Sequence, residues 1–264
     1  MATSNPAFNR NAAFQDDPTP EQLQALFDRP SAGGGTMTVE DTVAKTALNF
    51  GIAVVAAVIG WMTVAANPAA GWTIVAIAGI AGFALAMVNI FKKEPSAPLI
   101  LAYSAAQGVT LGGISMVYEV EFPGIVLQAL IATFAVFGVT LALFASGKIR
   151  ASARATKIFM IAMLGYLVYA VINMFIVMFG GAGGSPFGLD SKIELFGIPL
   201  GVILGILVTI MAAYSLVLDF DSIQQGVKHS APKKFGWTAA FGIMVTMIWL
   251  YLNILRMIAI ARSN

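Results

Sequence analysis

The sequence predicts an all-α fold: a polytopic membrane protein built as a seven-transmembrane-helix bundle. Three observations carry that prediction. Hydrophobic residues make up 58% of the 264-residue chain and charged residues only 11%, where a soluble globular domain carries about 25% charged residues. Mean hydropathy is +0.83, more apolar surface than one aqueous core can hide, which points to lipid as the solvent for most of the chain. Seven apolar windows follow one another, and the lysines and arginines gather in alternate connections between them.

Residues 1–44 precede the first window. Met1 to Arg10 has no apolar run, so no signal peptide is expected. The stretch is polar, with Asp16, Asp17, Pro18, Pro20 and the run Gly33-Gly34-Gly35. Such a composition predicts a mostly disordered cytoplasmic tail. Asn5-Pro6-Ala7-Phe8-Asn9 and Asn11-Ala12-Ala13-Phe14 are weakly repetitive, and their two Phe residues offer a membrane-protein partner something to grip. Thr38-Val39-Glu40-Asp41 reads as a capped helix start with acids in its first turn.

Residues 45–264 form the transmembrane domain. A spanning helix needs about 20 predominantly apolar residues. The windows are about 47–66, 71–91, 98–118, 124–145, 158–179, 195–218 and 238–260. Asn67-Pro68 closes the first. Glu94-Pro95 and Pro98 separate the second from the third. Phe122-Pro123-Gly124 follows the third, and Gly180 to Gly188, with Pro186, forms the longest outer loop.

Charge orients the bundle. One side receives Lys45, Lys92, Lys93, Lys148, Arg150, Arg154, Lys157, Lys228, Lys233 and Lys234. The other receives Lys192 among Glu119, Glu121, Asp190 and Glu194. Positive charge stays inside, which predicts a multi-pass protein of the plasma membrane with the N-terminus cytoplasmic and the C-terminus outside. A miscount of one span would reverse the C-terminus.

Small residues line three seams on which helices can approach closely. They are Gly197, Gly201, Gly205 and Thr209 in the sixth span; Ser104, Gly108, Gly112, Ser115 and Glu119 in the third; and Gly242, Thr246, Trp249, Asn253 and Arg256 in the seventh. Close packing alone accounts for the glycines. The Met residues of the fifth span read as packing as well, and Asn173 can bond across helices.

Ionisable groups at membrane depth need a reason. Asp219 and Asp221 stand at the inner end of the sixth span. At about 100° per residue they point roughly 200° apart, Asp219 within about 40° of the glycine seam and Asp221 nearly opposite. They can serve as an inner gate or as cation ligands, or they can be wet groups near Lys228 and Lys233. Arg256 lies in the outer half of the seventh span, and Glu119 is a carboxylate of matching depth. An Arg256–Glu119 pair is expected as an outer ion pair, with snorkelling of Arg256 as the alternative. His229 reads as a solvated loop residue.

Several chemistries are disfavoured. There is no cysteine and one histidine, so a zinc site or a His-dependent triad has too few members. No metal site and no cofactor is expected. A net charge of +2 gives no footprint for nucleic acid. Asp219 and Asp221 share one helix, unlike the two aspartates of an intramembrane aspartyl protease, so the chain is not expected to be an enzyme.

Two stretches resemble a known family. Leu218-Asp219-Phe220-Asp221-Ser222-Ile223-Gln224-Gln225-Gly226 resembles the sixth-helix signature of Bax-inhibitor-motif transmembrane proteins, an aromatic–Asp–Thr/Ser step. Trp249-Leu250-Tyr251-Leu252-Asn253-Ile254-Leu255 resembles the seventh-helix signature, Leu-Tyr-Leu-acid-Ile. The Asn-Pro-x-Phe tail and Ala231-Pro232-Lys233-Lys234 are similar to the actinobacterial branch of Bax inhibitor/YccA-like proteins. The resemblance covers about residues 40–260. It implies a seven-helix fold with a central last helix in a bacterial inner membrane. It also implies a pH-sensitive calcium leak, gated by acids on the sixth and seventh helices. Asp221 matches the first acid, and Asn253 occupies the position of the second. Two carboxylates sharing a site raise one pKa and so can switch near neutral pH, but an amide cannot titrate. Asp219, Asp221 and Asn253 are the gate candidates, with Asp219 as second carboxylate only on a distorted helix. The alternative is a non-transporting regulator or adaptor of a membrane protease or another membrane complex, working through the N-terminal tail.

Overall fold

The computed structural model describes residues 35–180 and 187–263. The expected tail up to residue 34, and Pro186 in the longest loop, lie outside the described residues. The helices are α1 (Val39–Ala66), α2 (Pro68–Phe91), α3 (Ala97–Glu121), α4 (Ile125–Ala145), α5 (Ala153–Met178), a short α6 (Leu189–Lys192), α7 (Leu200–Lys228) and α8 (Gly236–Ser263). Two short antiparallel strands, β1 (Glu194–Leu195) and β2 (Ile198–Pro199), precede α7. All the helices except α6 are long and apolar enough to cross a membrane. Their outer faces carry many exposed Val, Ile, Leu and Phe side chains, as lipid-facing surfaces do.

The ends follow from local chemistry. Thr38 caps α1, its hydroxyl accepting the Asp41 N–H at 3.1 Å. Asn67 caps α2 through the Ala70 N–H at 3.2 Å, with Pro68 in the first turn, where its missing N–H costs nothing. Ser152 caps α5 in the same way.

The sixth span departs from expectation at both ends. Residues 194–199 form the hairpin, and Gly197 sits in its turn at φ +75°. That left-handed backbone takes Gly197 out of the helical seam, which reduces to Gly201, Gly205 and Thr209. At the other end α7 runs on to Lys228. Asp219 and Asp221 therefore lie within the helix, about two turns before its end.

The chain divides into two compact units, whose boundaries fall inside α3, α7 and α8. The first holds the chain up to Met116 together with Leu218–Val245. In it α1 and α3 meet backbone to backbone. A Cβ on Gly60 would overlap the Val109 carbonyl, one on Gly108 the Ala53 carbonyl, and one on Gly112 the Ala57 carbonyl. Such contact is what drives helices together in lipid. The buried Ser104 hydroxyl donates to the buried Asn49 amide oxygen at 2.8 Å on the same seam. Tyr103 meets Phe241 edge to face at 5.0 Å. The chain entering α1 is pinned to the α7–α8 connection by Met37 N–H to the Ala231 carbonyl at 2.7 Å. Asp41 pairs with both Lys45 and Lys233 at the same place.

The second unit holds Val117–Val217 and the chain from Thr246 onward. Here the α7 seam receives α8. A Cβ on Gly201 would strike Ile260 and Asp190, and one on Gly205 would strike Met257. Ser215 and Thr246 share a hydroxyl–hydroxyl bond at 3.3 Å.

Candidate functional site

The first group of interest lies on α7 in the first unit. Asp219 is 3% exposed, and Phe220 and Ser222 beside it are buried too, while Asp221 is only half-buried. The Ser222 hydroxyl turns back to the Leu218 carbonyl at 2.8 Å. The α-helix is unbroken from Leu200 to Lys228. The two carboxylates therefore leave it about 200° apart, and the distortion that would let Asp219 join Asp221 on one face is absent from this helix. Between the two, Asp219 is the one held in the protein interior.

His229, just past the end of α7, is not the solvated residue expected. It is half-buried, and its Nδ1 is buried with no hydrogen-bond partner.

Asn253 belongs to the second unit and has a packing partner there. Its amide donates to the Gly205 carbonyl at 2.9 Å and to the Thr209 hydroxyl at 3.1 Å. The seam glycine is what makes this reachable: with no side chain at 205, α8 approaches closely enough for a short amide to bridge the helices. Thr209 precedes Asp219 by ten positions along α7. An amide fits this place because it can donate two N–H groups, as a carboxylate cannot.

The predicted Arg256–Glu119 pair is corrected. Arg256 pairs with Asp190 on α6, and its guanidinium also donates to the Phe187 carbonyl at 3.3 Å. Glu119 has a different task. Its carboxylate accepts the Gly124 N–H at 2.6 Å and the Val126 N–H at 3.0 Å. The start of α4 leaves N–H groups without intrahelical partners and carries partial positive charge. A carboxylate in the last turn of α3 meets that need locally, so Glu119 is held at the α3–α4 turn. Arg262 closes the same corner, donating to the Pro123 carbonyl at 3.0 Å and the Gln128 amide oxygen at 2.9 Å.

Asp190 was not singled out by sequence reasoning, yet it is the best-enclosed carboxylate of the second unit at 3% exposure. The Tyr169 hydroxyl donates to one of its oxygens and Arg256 holds the other. Asn173 grips the same segment from both sides, donating to the Phe187 carbonyl at 3.1 Å and accepting the Leu189 N–H at 2.8 Å. It thus bonds the chain that follows its own helix rather than a neighbouring span. Gly188 sits at φ +65°, where a Cβ would strike the Asn173 amide. Only that glycine, followed by an acid and a one-turn helix, marks Asp190 in the sequence. Glu119, Glu121 and Glu194 look equally eligible there. A small cavity adjoins the pair, with Tyr166, Gly205, Asn253 and Arg256 among its walls and room for about one water molecule.

Among the described residues no three His, Cys, Asp or Glu side chains stand close enough to hold a metal ion.

A family model described as Bax inhibitor 1 like matches residues 5–263 of the chain. No curated protein matches it.

Proposed function

The chain belongs to the Bax inhibitor 1 like family, and from that premise we propose that it is a pH-sensitive cation leak pathway, with calcium as the first candidate ion. The observation that carries the proposal is Asp219, 3% exposed inside a helix long enough to cross a membrane. A carboxylate at such depth is costly and marks a pathway or a switch. Protonation removes the charge and changes what the site can hold. Asn253 cannot titrate, so the proton-sensitive groups of this member are the α7 carboxylates, Asp219 foremost and Asp221 second, on another face of the helix. With so few acids, transport is slow or weakly selective. No catalytic role is proposed. Basic residues in alternate connections support a plasma-membrane protein with its N-terminus in the cytoplasm.

The test is calcium influx into liposomes holding the purified protein, at about pH 6 and about pH 8, on either side of neutrality. Wild type, Asp219→Asn and Asp221→Asn are compared. The proposal expects a pH-dependent leak that Asp219→Asn makes insensitive to pH, with a smaller effect from Asp221→Asn. No leak above empty liposomes at either pH overturns it. The second reading is a regulator or adaptor of a membrane protease or another membrane complex. It is favoured by the polar stretch of residues 1–44, in which Phe8 and Phe14 stand in weakly repeated sequence. Loss of cellular function on deleting residues 1–35, with any leak intact, would select it.

A further inference from the structure

Among the described residues of the second unit, the polar partners of the Arg256 guanidinium are oxygens: the Asp190 carboxylate, the Phe187 carbonyl and the Tyr166 hydroxyl. The Tyr169 hydroxyl oxygen lies on the same carboxylate, and the Asn253 side chain lines the cavity beside Arg256. A carboxylate, a backbone carbonyl, a hydroxyl and an amide are the hard ligands of an alkali or alkaline-earth cation. They are also held in place independently of Arg256. Asn173 fixes Phe187 and Leu189, Tyr169 fixes Asp190, and Gly201 lets Asp190 sit against α7. The Arg256 side chain is 34% exposed while that of Asp190 is 4% exposed, so the guanidinium is the more accessible member of the pair.

We propose that the Asp190 carboxylate and Phe187 carbonyl form a cation site whose resident cation is the protein's own Arg256, which bars solute cations from this cavity. Charge sets the ion class. One carboxylate balances the single charge of the guanidinium, so its replacement is a monovalent alkali cation such as sodium. A divalent ion would leave an excess positive charge and want more oxygens than these. The proposal concerns binding and does not depend on whether the protein conducts.

The test removes the tethered charge and asks whether sodium takes its place. Wild type, Arg256→Gln and the double variant Arg256→Gln/Asp190→Asn are purified in detergent. Thermal unfolding is followed in sodium chloride against N-methylglucamine chloride at about 0.15 M ionic strength, so that screening is equal. A ligand that binds only the folded state raises Tm with its concentration and then with diminishing slope. The expected result is a sodium-dependent rise of a few degrees in Arg256→Gln, smaller in wild type and lost in the double variant. Direct binding of radioactive sodium should follow the same order, near one ion per chain for Arg256→Gln alone. A stable Arg256→Gln protein with no sodium-dependent Tm and no bound sodium overturns the proposal, since Asp190 has then taken a proton instead. An equal sodium effect in all three proteins places the ion elsewhere and overturns it too. If Arg256→Gln aggregates without sodium, recovery of monodisperse protein with sodium supports the site, and no recovery counts against it.

Discussion

Asn253 holds Gly205 by the backbone: its side-chain amide donates to the Gly205 carbonyl at 2.9 Å, where α7 packs closely against Met257 of α8. The same amide also serves Thr209. The position that suggests a titrating acid by family resemblance is here a helix-to-helix clamp.

Replacing Asn253 by Asp should therefore weaken the protein. The ionised side chain donates nothing, and it faces the Gly205 carbonyl with like partial charge. Losing both bonds should cost about 1–3 kcal/mol, read as a lower Tm in detergent. A variant as stable as wild type would show that the amide contacts contribute little.

The α1–α3 seam predicts a contrast between glycines. Gly112→Ala forces a methyl into the Ala57 carbonyl and should destabilise by about 1–3 kcal/mol through displaced helices. Gly138 in α4 has nothing within 4 Å of the same methyl. Gly138→Ala should be neutral or stabilising by up to about 1 kcal/mol, from helix propensity alone. Equal effects at the two sites would contradict the packing described.

Charge exchange distinguishes the two partners considered for Arg256. Arg256→Glu should cost about 3 kcal/mol or more, because it leaves Asp190 enclosed beside a second acid. Adding Glu119→Arg should not rescue it and should lower stability further, by about 1 kcal/mol for the lost helix cap at α4. Recovery of wild-type Tm in the double exchange would restore the Arg256–Glu119 pairing rejected above.

Lys45 ties the start of α1 to the connection before α8. Its ammonium pairs with Asp41 and donates to the Lys233 carbonyl at 2.7 Å. Lys45→Met should loosen that connection by about 1 kcal/mol, as expected for a part-exposed charged bond. Faster trypsin cleavage between Lys228 and Lys234, with cleavage elsewhere unchanged, is the expected reading.

Much of the architecture was legible because membrane helices announce themselves by length and apolarity. Each predicted window has its helix. The Thr38 and Asn67 caps follow directly from residue type and position. Gly108 and Gly112 were recognisable as close-contact residues because helical spacing puts them on one face. The sixth span was less legible at its ends. Apolar Leu195 and Ile198 look like helix, and it is the positive φ of Phe196 and Gly197 and the strand pairing around them that reveal the hairpin. The reach of α7 past Asp221 was hidden because its last two turns are polar.

The candidate sites divide in the same way. Sequence alone determined the seven apolar helices, the scarcity of membrane-depth charges and the identity of the residues that carry them. It could do so because lipid selects on composition and on the 3.6-residue period, and both are local properties of the chain. The tertiary structure decided which charges are paired. It gave Arg256 to Asp190, kept Glu119 for the start of α4, used Asn253 as a clamp and enclosed Asp219 more fully than Asp221. Pairing depends on which of several equally acidic side chains a fold brings within about 3 Å of a donor. Residues far apart in sequence share no periodicity that could announce it.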